Sequence, residues 1–268
     1  MIEIAISIIC YDNEDEILKF ADKLSQQKDC DKIVLLVTCN KCKNVKELVE
    51  KLKKIKICSK VFDPKNNLGY LHGCLYGLKA YGTGYKWAII SNTDIDFVSN
   101  EFFSSFLKKN YEFRIGCIGP DITLKNTQKH QNPFILTRPS NIIMKMRKRI
   151  YSSYRLYSLY HYLSKIKNKI CNSKSRIESR YVYAVHGSMI ILRKECIDKF
   201  LEDNIQIFMY VEELYIAEKL RENHILSYCD MNLKVIHNEN QVTGKINSER
   251  KQKWFSQSIN FLVNKYWN

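Results

Sequence analysis

Up to residue 120 the sequence alternates short β-type apolar runs with helix-period stretches of similar or greater length, and that alternation constrains the fold most strongly. Residues 2–10, 33–38, 55–62, 87–91 and 115–120 read as strands. Between them, 12–27 carries Ile17, Leu18, Ala21 and Leu24 on one helical face. Likewise 45–54 carries Leu48, Val49 and Leu52, and 69–81 carries Leu71, Leu75 and Leu78. Strands alternating with helices imply βαβ units, hence an α/β fold with a central, mostly parallel sheet flanked by helices. Ligands of such sheets bind beyond the carboxyl ends of the strands. Four polar clusters fall there: Tyr11-Asp12, Thr38–Asn40, Asp63–Asn67 and Asn92–Asp96.

After 120 the pattern loosens into a polar loop through Pro133 and Pro139. Regular structure resumes with a strand-like run at 181–192, helices at 194–200 and 212–223, strands at 225–228 and 233–237, and a closing amphipathic helix at 248–267. No repeat or low-complexity linker interrupts the 268 residues, which read as a single domain. No run of about 18 apolar residues is present, so no transmembrane helix is expected. The apolar start lacks a basic flank and leads into the acidic cluster 12–16, as a buried first strand does and a signal peptide does not.

Charge is concentrated. The net +15 includes +10 between Asn141 and Arg180, where eleven Lys or Arg meet only Glu178, and the other 228 residues carry +5. Ten cysteines are scattered, several within apolar runs, as small reduced core residues of a cytosolic protein are. Cys39-Asn40-Lys41-Cys42 is a lone CxxC, and Cys30 and Cys58 are not spaced as the second pair of a zinc site.

Three features carry chemistry. Asp94 and Asp96 stand at i, i+2 directly after an apolar strand; on extended backbone both point to one side and suit one hard cation. The same string also describes two surface aspartates in a turn. Glu212-Glu213 opens a helix whose apolar face is Leu214, Ala217 and Leu220. Carboxylates there favour the helix dipole, and one beside buried aromatics also suits a general base. His237 ends an apolar strand and becomes a ligand candidate only if the fold returns it to Asp94. No phosphate-binding GxxxxGK[ST], HExxH or GxSxG occurs.

In this order the pieces resemble the family 2 glycosyltransferases, closest to the capsule, O-antigen and rhamnosyltransferase-like branch. The resemblance covers nearly the whole chain outside about 125–180. It rests on Asn66-Asn67-Leu68-Gly69-Tyr70, Asn92-Thr93-Asp94-Ile95-Asp96, His186-Gly187-Ser188 leading into an apolar strand that ends at Arg193, Phe208-Met209-Tyr210-Val211-Glu212-Glu213, and Val235-Ile236-His237. It implies the GT-A nucleotide-diphospho-sugar transferase fold and inverting transfer from a nucleotide-diphosphate sugar to a hydroxyl of a glycan, lipid-linked in capsule or O-antigen synthesis. By the same resemblance Tyr11, Asp12, Asn40, Asn67, Gly69 and Asp94 hold the donor. Asp94, Asp96 and His237 bind Mg²⁺ or Mn²⁺, and His186, Gly187 and Ser188 lie on the acceptor side. Glu213 is the base, with Glu212 able to share the role. The chain departs from the family at Asn40 and Glu213, where Asp is usual.

The basic segment 141–180 reads as a helical insertion, with Leu156, Leu159, Leu163, Ile166 and Ile170 forming a seam among Arg155, Lys165, Lys167 and Lys169. Such a helix can pack on its own body, pair with a second copy, bind nucleic acid, or lie on an anionic membrane. No nucleic-acid-binding motif accompanies the charge, and that reading leaves the carboxylates without a task. An enzyme whose acceptor hangs from a lipid suits membrane docking through 141–170, on the cytoplasmic face. A nucleotidyltransferase on a similar sheet is the remaining alternative, and its usual Gly-rich basic loop is absent after Cys10.

Overall fold

The computed structural model describes residues 1–170, 178–239 and 247–268, with 165–170 described by backbone alone. Residues 171–177 of the basic segment, and the side chains of Lys165, Ile166, Lys167, Lys169 and Ile170, therefore lie outside the described residues. The first half runs β1 (Ile4–Tyr11), α1 (Glu14–Ser25), β2 (Ile33–Lys41), α2 (Val45–Lys53), β3 (Cys58–Phe62), α3 (Tyr70–Tyr81) and β4 (Trp87–Ser91). Then come β5 (Ile95–Phe97), α4 (Phe102–Leu107), β6 (Ile115–Leu124), α5 (Asn141–Tyr151) and α6 (Tyr154–Ile170). The chain closes with β7 (Arg180–Val182), β8 (Met189–Arg193), α7 (Lys194–Leu201), α8 (Glu212–Glu222), β9 (Leu226–His237) and α9 (Ser248–Tyr266).

The central strands read as unbroken apolar runs because helices cover both faces of the sheet. Alternate residues serve opposite layers: Ala5, Val34, Leu36, Ala88 and Ile90 pack with α3, α7, α8 and α9. Ile4, Ile6, Leu35, Val37 and Ile89 pack with α1, α2 and α4. The strand order is β3-β2-β1-β4-β8-β6-β9-β5, with β7 also on β9. Pairings among β3, β2, β1 and β4 are parallel. β8, however, lies antiparallel between β4 and β6, and β5 and β7 lie antiparallel on β9. The longest pairing, β6 with β9, is again parallel, so the sheet is mostly parallel as the alternation predicts, with β8, β5 and β7 as its antiparallel members. Periodicity reports which residues are buried; it carries no information on strand direction.

Two departures from the expected elements matter for the site. The run 181–192 divides into β7 and β8, leaving His186-Gly187-Ser188 in the turn that enters β8. The strands expected at 225–228 and 233–237 are one strand, β9, with a register shift opposite Pro120/Asp121. Asp230 marks that shift: its carboxylate accepts from the Asn232 amide at 3.0 Å and is paired with Lys109. β9 then continues to pair with β5, register Ile95↔His237, which returns His237 to the loop after β4.

Within the basic segment the described residues 141–170 form α5 and α6. α5 buries Met144 and Tyr151 and packs against α9. Tyr157 faces inward from α6, its ring 6.1 Å from that of Phe255. Leu156, Leu159 and Leu163 face outward and stay exposed, as do Ile142 and Met146 of α5. The expected seam is therefore not the face by which this helix packs on its own body.

Candidate active site

The carboxyl ends of β1, β2 and β4 open into a cleft of about 830 Å³. One wall is the segment before α3, the other the turn entering β8 and the first turn of α8. The walls touch where Gly69 meets Phe208. The Tyr70 amide donates to the Phe208 carbonyl at 3.2 Å, and a Cβ on Gly69 would lie 1.9 Å from that oxygen. Gly69 also has φ +77°, so both space and backbone require glycine.

On the β1–β2 side, Tyr11, Asn40, Asn67 and Gly69 line the cleft. Asn40 braces the opposite segment: it donates to the Gly69 carbonyl at 2.7 Å and accepts from the Leu68 amide at 3.1 Å. Asn67 accepts from the Gly69 amide at 3.0 Å, a local turn that shapes the approach to α3. Asp12 departs from expectation. It has φ +54°, is ion-paired with Lys41, and is not among the residues lining the cleft. The left-handed turn at Asp12 swings its side chain towards β2. Asn13 takes its place, accepting from the Tyr11 amide at 2.7 Å and donating to Thr93 Oγ1 at 3.2 Å.

The structure also parts the two aspartates. Asp94 lies in a turn and only Ile95–Phe97 is strand, so the i, i+2 geometry expected of extended backbone does not hold. Asp94 lines the cleft, and its Oδ1 is 3.3 Å from His237 Nε2. Asp96 does not line it; its carboxylate is ion-paired with Lys23 and accepts from Asn238 at 2.7 Å. Against the upward push of partial burial, Lys23 and Asn238 hold the Asp96 carboxyl below its ordinary value.

His237 Nδ1 is 2.8 Å from Gln131 Oε1. That contact orients the ring so that Nε2 is presented to the Asp94 carboxylate. An imidazole nitrogen and a carboxylate oxygen thus face one another at the cleft wall. That donor set fits a divalent cation such as Mn²⁺ or Mg²⁺.

Glu212 and Glu213 occupy the first turn of α8, presented by two residues in left-handed backbone, Tyr210 (φ +69°) and Val211 (φ +60°). Such a conformation is costly for a β-branched residue, and strain of this kind collects at functional sites. Glu213 accepts from the Gly187 amide at 3.2 Å, and a Cβ on Gly187 would lie 2.5 Å from the same oxygen. Tyr70 donates to the Gly187 carbonyl at 3.1 Å, tying the acceptor-side turn to α3. Burial raises both carboxyls, and the charge of Glu213 raises Glu212 further. His186 is held down to about 4 by burial and then by His237, and is neutral near pH 7. The Ser188 amide donates to its Nδ1 at 3.2 Å, which leaves the proton on Nε2.

Gln131, Tyr70, Asn13, Arg250 and Trp254 line or support the cleft without having stood out in the sequence. Arg250 and Trp254 come from α9, about thirty residues beyond the end of α8, and local spacing holds no signal for that return.

Strand order, the loop after β4 and the helix entering the cleft together define a GT-A fold, the nucleotide-diphospho-sugar transferase fold. The chain is similar to the mannosyltransferase PcManGT from Pyrobaculum calidifontis, solved in complex with GDP-Man and Mn²⁺. That match has a TM-score of 0.61 at 9% identity, over 98% of this chain and 64% of that one. It is also similar to GalNAc-T7, solved with UDP, GalNAc and Mn²⁺, at a TM-score of 0.62 and 14% identity, over 100% of this chain and 49% of that one. The chain thus spans under two thirds of the first and about half of the second. No protein-family model matches it, and no curated protein matches it.

Proposed function

We propose that the protein is a divalent-metal-dependent, inverting glycosyltransferase that moves a hexosyl or deoxyhexosyl group from a nucleotide-diphosphate sugar to a hydroxyl of a glycan. The observation that carries this reading is the pairing, within one cleft, of the Asp94–His237 acceptor set with the Glu212–Glu213 carboxylates on the facing wall. The two GT-A neighbours, solved with sugar nucleotides or their parts and Mn²⁺, support it. Asp94 and His237 would hold the cation, which when bound neutralises charge on the departing diphosphate. Asp96, engaged by Lys23, is left out of that set.

Tyr11, Asn40, Asn67 and Gly69 would seat the nucleotide, and Trp254 with Phe208 would offer aromatic faces to the sugars. Glu213 takes the proton of the acceptor hydroxyl as its oxygen attacks the anomeric carbon. The new C–O bond forms opposite the breaking bond to the diphosphate, and the configuration inverts. Burial and the neighbouring carboxyl hold Glu212 above its ordinary value, so the pair resists carrying two negative charges beside the acceptor hydroxyl. Incubation with a panel of UDP-, GDP- and dTDP-sugars tests this. Release of nucleoside diphosphate from one of them, dependent on Mn²⁺ or Mg²⁺ and faster with a hydroxyl acceptor, is expected; equal release in EDTA overturns the metal-dependent reading.

For the acceptor we favour a lipid-linked glycan of capsule or O-antigen type, met at the inner face of the cell membrane. Support comes from the exposed row Leu156, Leu159 and Leu163 beside the exposed Lys145, Arg149 and Arg155. Among the described residues no helix is long and apolar enough to cross a membrane, so contact would be peripheral. Each cation near an anionic leaflet adds about 1 kcal/mol. The protein should co-sediment with phosphatidylglycerol vesicles at low salt and not with phosphatidylcholine vesicles. Leu159→Ser with Leu163→Ser should release it. A parent protein that stays in the supernatant overturns membrane docking and leaves pairing with a second copy as the use of this face.

A further inference from the structure

We infer that Cys10, Cys39 and Cys42 form a second cation site, for a thiophilic divalent ion of the zinc class, distinct from the Asp94–His237 pair. In sequence, Cys39 and Cys42 are a CxxC without a matching pair. The sheet supplies the missing thiol from another strand. Cys10 of β1 stands directly opposite Cys39 of β2, and one step further Tyr11 is opposite Lys41, so Asn40 is an extra residue in β2. That bulge shortens the path from Cys39 to Cys42 and turns Cys42 back over the strand pair.

The three sulfur atoms lie within 4.8 Å of one another. Tetrahedral zinc with bonds of about 2.3 Å spaces its sulfurs by about 3.8 Å, so closure needs inward shifts of an ångström or less. A carboxylate stands next to Cys42. Glu14, at the start of α1, lies within hydrogen-bonding reach of Cys42. Its Oε1 accepts from the Lys43 amide at 2.6 Å, which fixes the carboxyl and leaves its other oxygen for a fourth bond. Cys10 and Cys39 are buried and Cys42 is partly exposed, so entry is from the Cys42 side.

Three thiols converging from β1, β2 and the segment after β2 are soft ligands that select an ion of the zinc class, with Glu14 or a water as its fourth ligand. On binding, each thiol would release its proton to solvent and give the sulfur lone pair to the ion, with no change of oxidation state. The ion would brace the bulge that carries Asn40, and with it the wall on which Leu68 and Gly69 are hung. The inference does not depend on the proposed sugar transfer.

Cobalt(II), which reports thiolate ligation by a charge-transfer band in the near ultraviolet, tests it on the reduced, metal-free, full-length protein under anaerobic conditions. One equivalent should saturate the band, and zinc should abolish it one for one. Asp94→Asn and Cys117→Ser should keep it. Cys39→Ser should weaken cobalt binding by at least about 100-fold, the upper end of the loss from changing only an outer-shell partner. Absence of the band in the parent protein overturns the proposal. So does a band that survives in the Cys39→Ser, Cys42→Ser double variant. Protein isolated without reductant that is lighter by two hydrogens, and shows no band once reduced, would make the cluster a disulfide pair instead.

Discussion

Glu213→Gln should bind donor and cation as the parent does and transfer sugar at least about 100-fold more slowly, the ordinary scale of a lost general base. The amide keeps an oxygen able to accept from the Gly187 amide, so the turn entering β8 stays in place, but it cannot take a proton. Glu212→Gln should be far milder in rate and should instead show in stability. Burial, and then the charge of Glu213, holds Glu212 above its ordinary value in the folded chain. The folded state therefore binds that proton more tightly than the unfolded one. The resulting stability is complete below the unfolded carboxyl range and is lost as pH rises through the folded value. Glu212→Gln removes this dependence and should gain on the parent in denaturant midpoint as the medium turns from mildly acid to mildly alkaline. Reversal of the two variants in single-turnover rates would move the base to Glu212.

The architecture was legible because burial on both faces of a sheet writes unbroken apolar runs, and burial on one face of a helix writes a period near 3.6. Ile4–Tyr11, Ile33–Lys41 and Trp87–Ser91 are found within a few residues of where those runs lie. Direction and register are another matter. β8 runs against its neighbours, and the three-residue β5 is too short to write a period, yet its pairing with β9 brings His237 to Asp94. The spacing Asp94-Ile95-Asp96 makes one ligand pair only on extended backbone. A turn at Asp94 divides them, and a turn is decided by pairing across the sheet more than by the string itself.

Asp12 fails for a related reason. Its left-handed backbone sends the carboxylate to Lys41, and nothing in the order Tyr11-Asp12-Asn13 marks Asn13 as the residue facing the cleft. Supporting groups such as Gln131 and Tyr70 act through single hydrogen bonds over long sequence separations. The thiol cluster shows the same limit from the other side: the spacing of Cys39 and Cys42 was visible, but their third partner is adjacent only once β1 and β2 pair.

The second large effect concerns Asp94, and it bears on the claim that a sugar nucleotide and a divalent cation share this cleft. Asp94 and His237 face one another at the cleft wall, so Asp94→Asn removes the negative member of the set and leaves the Asp96–Lys23 pair untouched. The direct measurement is thermal denaturation of parent and variant with UDP-, GDP- and dTDP-sugars, each with Mn²⁺ and with EDTA. A donor at a hundredfold excess over its Kd should stabilise the parent by about 2.7 kcal/mol. For a chain of this size that is a rise of roughly 5–10 °C in Tm. The rise should require Mn²⁺, and Asp94→Asn should lose it while unfolding at nearly the parent's temperature without ligand. A Mn²⁺-dependent shift in the parent that vanishes in Asp94→Asn is the predicted result; no shift with any donor, or a shift that persists in EDTA and in the variant, would contradict it.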